Sequence, residues 1–341
     1  MRGRETSLSD AVECNAMRGS LLLRARRLPR IACAIIFCFV AAPLCHAQDV
    51  HRLSLPQEAR DGLDALYRGD PDAALALFRR VQISEPGSPI GYLMEADARW
   101  WKIYCRSLEF KWNMLDVWAL GPSPEGDAML AAADKAVALA DVRIQQSETA
   151  ELHIYAGAAL ALRARLLGLH GDHRATARAG VKAREHFLRA KALDPKLADS
   201  DTGLGLYNYY IDTLTGFVKI LRVFMGIPGG NKQEGIQQLT YAMDHADMTA
   251  VEARFYLSID LRLYDWQYER AAGLMAPLVA RYPQNPIFAL MLGNMNALLN
   301  RKEQAAANYR AAAAMPVPDP KSHERVAKIS REGIAALGLR P

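Results

Sequence analysis

Cysteine is almost absent from the body of this chain. Four of its five Cys (Cys14, Cys33, Cys38 and Cys45) fall early in the sequence, and only Cys105 follows. The body therefore has no pair for an intrachain disulfide and no thiolate set for zinc, so its stability must come from packing. Strand-like alternation of polar and apolar residues is nearly missing, which argues against a β fold. Neither Gly-x-Ser-x-Gly nor His-Glu-x-x-His occurs, so the common hydrolase and metalloprotease arrangements are not expected. The longest early apolar run, Ile31 to Leu44, is short for a transmembrane helix, and no stop-transfer segment follows. No membrane span is expected.

That run has another reading. Arg24, Arg26, Arg27 and Arg30 precede it, and Cys45-His46-Ala47 places small residues at −3 and −1 of a cut after Ala47. This is the layout of a secretory signal peptide over residues 1–47. The preceding tract is long for a signal, and Met17 offers an alternative start. Leu44 stands where a lipidated Cys45 would normally have a small residue, which argues against a lipoprotein. Export to a periplasm or cell envelope is expected. Residues 1–47 hold seven Lys/Arg and three Asp/Glu, so the totals of 42 and 37 become 35 and 34 without them. The remaining +1 gives no charge reason to bind nucleic acid.

What the chain does have is alanine and helical periodicity. Apolar residues recur every three or four positions, and hydrophobic types make up 51% of the sequence. Three segments share one spacing. Gly62, Ala74, Phe78 and Val81 precede Pro86; Phe187 and Ala190 precede Pro195 at the same offsets. Gly293, Ala305, Tyr309 and Ala312 repeat the pattern, and Gly230, Gly235, Leu239 and Ala242 form a weaker fourth set. Small residues let two helices approach, and a ring four positions on fills the groove between them. These offsets resemble the tetratricopeptide repeat (TPR). The expected fold is all-α, a right-handed α-solenoid of irregular TPR-like helical hairpins, as a single domain over 48–341. Helices are expected at 108–118 and 216–226 among others.

Two stretches break the pattern. "RWWKIYCRSLEFKWNMLDVW" holds Trp100, Trp101, Tyr104, Trp112 and Trp118, read here as core packing or as an aromatic groove. Residues 201–235 combine glycines, Tyr207, Asn208, Tyr209 and Tyr210, and the turn Pro228-Gly229-Gly230. Its glycines lack the spacing of dinucleotide and phosphate loops. Asp212, Lys219 and Arg222 interrupt its apolar part, which argues against a span. It reads as an atypical helical hairpin, broken at Thr215-Gly216, with Asn231 capping the next helix and Gly230 requiring a positive φ. Successive helical residues lie about 100° apart, so the three tyrosines cannot all face the core.

"GLGLYNYYIDTL…GIPGGNKQEGIQQL" resembles the central element of bacterial exported TPR proteins. It is more remotely similar to the eukaryotic inclusion-body-clearance TPR family of the outer mitochondrial membrane. The resemblance covers roughly 197–246, implies a helical-repeat scaffold, and supplies no catalytic residue. Pro-Gly-Gly at the turn departs from the eukaryotic pattern, so contacts made there do not carry over.

Other tempting residues read as structural. His170 and His173 flank a solvated turn, and Asp199 and Asp201 suit a helix N-terminus. Glu95, Asp97, Glu148 and Glu151 fit surface helix charge. No catalytic residue, metal site or cofactor is expected. The leading expectation is a non-catalytic envelope scaffold that binds a protein or peptide partner on a concave surface. The alternative is a periplasmic carrier of a small apolar molecule or lipid, with an aromatic-lined pocket. For either, the candidate groove comprises Tyr207, Asn208, Tyr209, Tyr210, Trp100, Trp101, Tyr104, Trp112 and Trp118.

Overall fold

Several helix starts are set locally by short polar side chains. Asp70 accepts a hydrogen bond from the Ala73 amide at 3.0 Å, Asp172 from Ala175 at 2.9 Å, and Asn231 from Glu234 at 3.1 Å. Each satisfies a donor that the first helical turn leaves open. The Asn231 cap is the one expected from sequence.

The structure is a computed structural model, and it describes residues 51–213 and 226–340. The described elements are α1 (Gln57–Tyr67), α2 (Pro71–Ser84), α3 (Ile90–Ser107), β1 (Glu109–Lys111), β2 (Met114–Asp116), α4 (Pro124–Gln146), α5 (Ala150–Leu169), α6 (His173–Leu193), α7 (Asp199–Thr213), α8 (Lys232–His245), α9 (Ala250–Leu263), α10 (Tyr268–Arg281), α11 (Pro286–Leu298), α12 (Lys302–Ala314) and α13 (Pro320–Ala336). They belong to a unit spanning Gln48–Pro341. The fold is an all-α solenoid. Consecutive helices pack as hairpins: α1 with α2, α3 with α4, α5 with α6, α7 with α8, α9 with α10, and α11 with α12. The leader at 1–47, the break at Thr215-Gly216 and nearly all of the expected helix 216–226 lie outside the described residues.

The repeat spacing has a steric basis. A Cβ on Gly62 would stand 2.2 Å from the Phe78 ring, and one on Gly293 would stand 3.0 Å from the Tyr309 ring. Phe187 is held from both sides: a Cβ would come within 2.9 Å of it at Gly157 and 2.0 Å at Gly203. Each ring thus occupies volume that a side chain on the facing helix would claim.

First helices of neighbouring hairpins also pack on one another, α1 on α3, α3 on α5, α5 on α7 and α7 on α9. The last helix returns to the early part of the solenoid, with α13 against α3 and Arg106 paired with Asp319. Asn285 Nδ2, at the start of α11, donates to the Tyr67 carbonyl at 2.8 Å. Among the described residues one helix, Ala150–Leu169, is long and apolar enough to cross a membrane by length and composition; 56% of its most apolar window is buried within the protein.

The expected helix at 108–118 is instead a two-stranded antiparallel hairpin, pairing Glu109 with Asp116, Phe110 with Leu115 and Lys111 with Met114. Trp112 and Asn113 turn it with φ of 51° and 64°. Positive φ at both central residues suits the twist of a two-residue hairpin. Asn tolerates that conformation, but Trp seldom adopts it.

Candidate interaction site

The nine aromatic and polar residues singled out from sequence do not share one groove. Trp100, Trp101 and Tyr104 on α3 are buried. Trp101 meets Phe255 at 5.0 Å and stands edge-on to Tyr67 at 6.1 Å and Phe288 at 5.9 Å between ring centroids. Trp100 Nε1 donates to the Tyr256 hydroxyl at 2.8 Å, and the Tyr104 hydroxyl donates to Asp116 Oδ1 at 2.8 Å. These rings form the aromatic core on which α1, α3, α9 and α11 converge, so they line no open groove.

The tyrosine block divides by helical phase. Tyr209 is fully buried, its hydroxyl 2.8 Å from Asp265 Oδ2 and 3.0 Å from the Asp260 carbonyl. Asn208 is buried and donates to Gln238 Oε1 at 2.9 Å, so its amide is engaged between α7 and α8. Tyr207 is half-buried and donates to the Pro228 carbonyl at 2.9 Å. Tyr210 alone of the three tyrosines is exposed; it donates to Asp260 Oδ1 at 2.9 Å and stands edge-on to Tyr264, 6.2 Å away. Gly230 has no positive φ. Its constraint is space, because a Cβ would lie 2.6 Å from the Asn208 carbonyl oxygen.

The hairpin carries the most exposed ring among the described residues. Trp112 is 84% exposed and edge-on to half-buried Trp118, 5.8 Å away. Against the hairpin's second strand packs Arg262, whose side chain is wholly buried. Arg262 Nη2 donates to the Leu115 carbonyl at 2.7 Å, and Nη1 to Asn294 Oδ1 at 2.9 Å. Asn294 Nδ2 in turn donates to the Asn113 carbonyl at 3.0 Å. Arg262 also pairs with Asp116 at 3.6 Å. Its Nε is buried without a partner, but the Nη1 and Nη2 bonds offset part of the cost of burying the guanidinium and fasten the hairpin to α9 and α11. Trp112 is therefore presented from a rigid base. Trp266, 70% exposed at φ 54°, is a second such ring, in the α9–α10 connection. Sequence reading did not select it, since a lone Trp in a loop carries no spacing signal.

The interior is more ionic than surface-type helix charge would give. Asp97, expected at the surface, is buried on α3. Burial and the neighbouring Glu252 charge push its carboxyl well up, against the pull of Arg165. Burial likewise raises Glu252, with Arg165 opposing. Asp260 is pushed up to about 8 by burial, with its Tyr210 hydrogen bond opposing and the Asp116 charge adding to the rise. The Asp97 and Glu252 carboxyls are hydrogen-bonded to each other, with Trp101 also bonded to Glu252, and Asp260 Oδ2 is buried without a hydrogen-bond partner. Asp199 is also buried, but it accepts from the Asp247, Met248 and Thr249 amides at 2.9–3.0 Å. It therefore ties α7 to the start of α9 rather than capping its own helix.

A histidine pair also escaped sequence reading. His153 on α5 and His186 on α6 approach at 2.9 Å between Nδ1 atoms, and His153 Nε2 meets Glu148 at 2.9 Å. Burial and His153 lower the His186 pKa. Their separation of 33 residues follows from the long α5–α6 hairpin and from no motif. No group of three or more His, Cys, Asp or Glu among the described residues is placed to hold a metal ion.

Comparison with known proteins adds solved TPR structures. The chain is similar to the C-terminal part of a TPR repeat-containing protein from Cytophaga hutchinsonii, at 14% identity over 82% of this chain and 87% of that one, TM-score 0.37. It is similar to a thermophilic TPR protein in Thermus thermophilus, at 14% identity over 80% and 96%, TM-score 0.30. Yeast Tom70 aligns at 10% identity over 82% and 88%, TM-score 0.27. No family model and no curated protein matches the chain. At such identities and scores the fold assignment rests on the helix pairs and ring contacts described above.

Proposed function

We propose that this protein is a non-catalytic scaffold of the cell envelope that holds a protein or peptide partner. The observation that carries the reading is Trp112, 84% exposed on a hairpin fastened by a wholly buried Arg262. Trp is favoured at the energetic centre of interfaces, and a rigid support lowers the ordering cost of binding. The contact surface in this reading is the hairpin edge with Trp118. Trp100, Trp101 and Tyr104 support it from within. Export rests on the leader pattern at residues 1–47.

The carrier reading required an aromatic-lined pocket built from 100–118 and 207–210. The rings of α3 pack on one another and on Phe255 and Phe288, so the scaffold is favoured.

A photo-reactive phenylalanine analogue at position 112, with a control at exposed Ile83, tests the proposal in the native cell. A discrete protein adduct is expected at 112 and absent at 83. An adduct pattern that is identical at both positions, or none at 112, overturns the hairpin as contact surface. Sequencing of the envelope form should begin near Gln48; a retained leader in a cytoplasmic pool removes the envelope part of the proposal.

A further inference from the structure

His153 and His186 link the two helices of the α5–α6 hairpin. His153 is buried on α5, and His186 is half-buried on α6. Their Nδ1 atoms stand 2.9 Å apart, with ring centroids 5.1 Å apart and ring planes at 43°. His153 Nε2 meets Glu148 Oε1 at 2.9 Å. A carboxylate oxygen accepts, so Nε2 carries the proton of the neutral ring and the Nδ1 lone pair is directed at His186. Glu148 is itself held by Arg189, from Nε at 2.8 Å and Nη2 at 2.6 Å.

A histidine with its second nitrogen fixed on a carboxylate is the usual form of a metal ligand, because the carboxylate sets the tautomer and the ring orientation. No partner is missing from the pair; an ion takes the place of the proton shared between the two Nδ1 atoms. The spacing selects the ion. Two metal–nitrogen bonds of about 2.05 Å at a right angle place their nitrogens about 2.9 Å apart, whereas a tetrahedral angle needs about 3.3 Å. Right-angled nitrogen ligands suit Cu(II) and Ni(II) better than Zn(II), and Cu(II) binds such ligands most tightly.

We propose that His153 and His186 bind a Cu(II) ion through their Nδ1 atoms, with Glu148 as the residue that positions His153. Among the described residues no carboxylate bonds to the His186 ring, so that ring makes the turn that aims both lone pairs at one ion. Its proton moves from Nδ1 to Nε2, and the net charge changes only by that of the ion. Two protein ligands leave the remaining positions to water, so the site is exchangeable and is not a structural metal centre. The inference is independent of the scaffold reading.

Protons compete with the ion. Asp141 from α4, Glu148 just before α5, and Lys182, Glu185 and Arg189 from α6 surround the pair. Three carboxylates against two cations favour an entering positive charge. Burial and the neighbouring His153 lower the His186 pKa, so the ring keeps its lone pair further into acid than an exposed histidine does. Protonation removes a ligand, so binding weakens as pH falls and strengthens as it rises.

Titration of the full chain with copper(II) chloride, with glycine in excess to keep weak sites empty, provides the test, read by electron paramagnetic resonance and by Tm. His186→Asn keeps an N–H donor for His153 Nδ1 but removes the second imidazole. The wild type should hold one copper equivalent more than His186→Asn. That equivalent should show coupling to two imidazole nitrogens and should raise the Tm, because the ion ties α5 to α6. Glu148→Ala should weaken it about 10–100-fold, as loss of a ligand's carboxylate partner does. Exposed His173→Ala should leave it unchanged. Ni(II) and Zn(II) should bind the same site more weakly, and Mg(II) should not bind. Equal copper binding by the wild type and folded His186→Asn, unchanged affinity in Glu148→Ala, or a preference for Zn(II) overturns the proposal. If His186→Asn does not fold, the wild-type spectrum decides: coupling to fewer than two imidazole nitrogens, or no copper retained against glycine, overturns it as well.

Discussion

Phe187 is nearly fully buried, and Gly157 and Gly203 leave the space that its ring fills from α5 and α7. Phe187→Ala should cost about 3–5 kcal/mol, since helices that meet around a ring cannot fully collapse into its space. Ala190, with no exposed surface, should tolerate Asp no better, because the charge would be buried without a partner. Exposed His173→Ala should shift stability by no more than about 0.5 kcal/mol. Thermal melts of the three variants check this, and a harmless Ala190→Asp would show the repeat register to be wrong. These positions were legible in the sequence because helix pairing demands a small residue and a ring at fixed offsets. Asp97 was not legible. A carboxylate at helical spacing looks alike on a surface and in a core, and only the fold brings Glu252 and Arg165 beside it.

At the scale of elements, the sequence revealed helices and their stops, but not the hairpin at 109–116. Three-residue strands are too short to show a period, and Trp112 at positive φ contradicts its usual preference. The hairpin exists because Arg262 and Asn294, well over a hundred residues later, satisfy its carbonyls. Arg262→Met should therefore cost about 3 kcal/mol and free the hairpin, seen as loss of near-ultraviolet circular dichroism from Trp112 and Trp118. Trp112→Ala should leave the melting temperature almost unchanged while removing the position-112 contact. Equal destabilisation by both substitutions would make Trp112 part of the core. The candidate groove was thus half legible: the aromatic residues that build the region were found, but which of them faces water depends on long-range bonds. Gly230→Val should still damage folding, through collision with the Asn208 carbonyl rather than through backbone strain.

Across the whole molecule, two carboxylates shifted in opposite directions shape the response to pH. Asp319 joins α13 to α3. Its hydrogen-bonded pair with Arg106 and its bonds from Ser322 hold it well below the usual carboxylate range. A carboxyl whose folded pKa is depressed contributes stability above its unfolded pKa, near 3.9, and loses that contribution as pH falls toward the folded value. Asp260 is the reverse case: with its folded pKa raised to about 8, its contribution is present in acid and declines as pH rises from about 4 through 8. The wild-type stability curve should accordingly fall on both arms. Asp319→Asn should flatten the acid arm by removing a term the wild type loses there, while lowering stability at neutral pH. Asp260→Asn retains an acceptor for the Tyr210 hydroxyl but cannot ionise, so it should raise stability between pH 7 and 9 and change little below pH 4. Urea midpoints measured from pH 3 to pH 9 on the wild type and both variants separate the arms. An Asp260→Asn protein whose midpoint falls with rising pH as steeply as the wild type would move the alkaline sensitivity to another group, with the Asp97–Glu252 pair next in line.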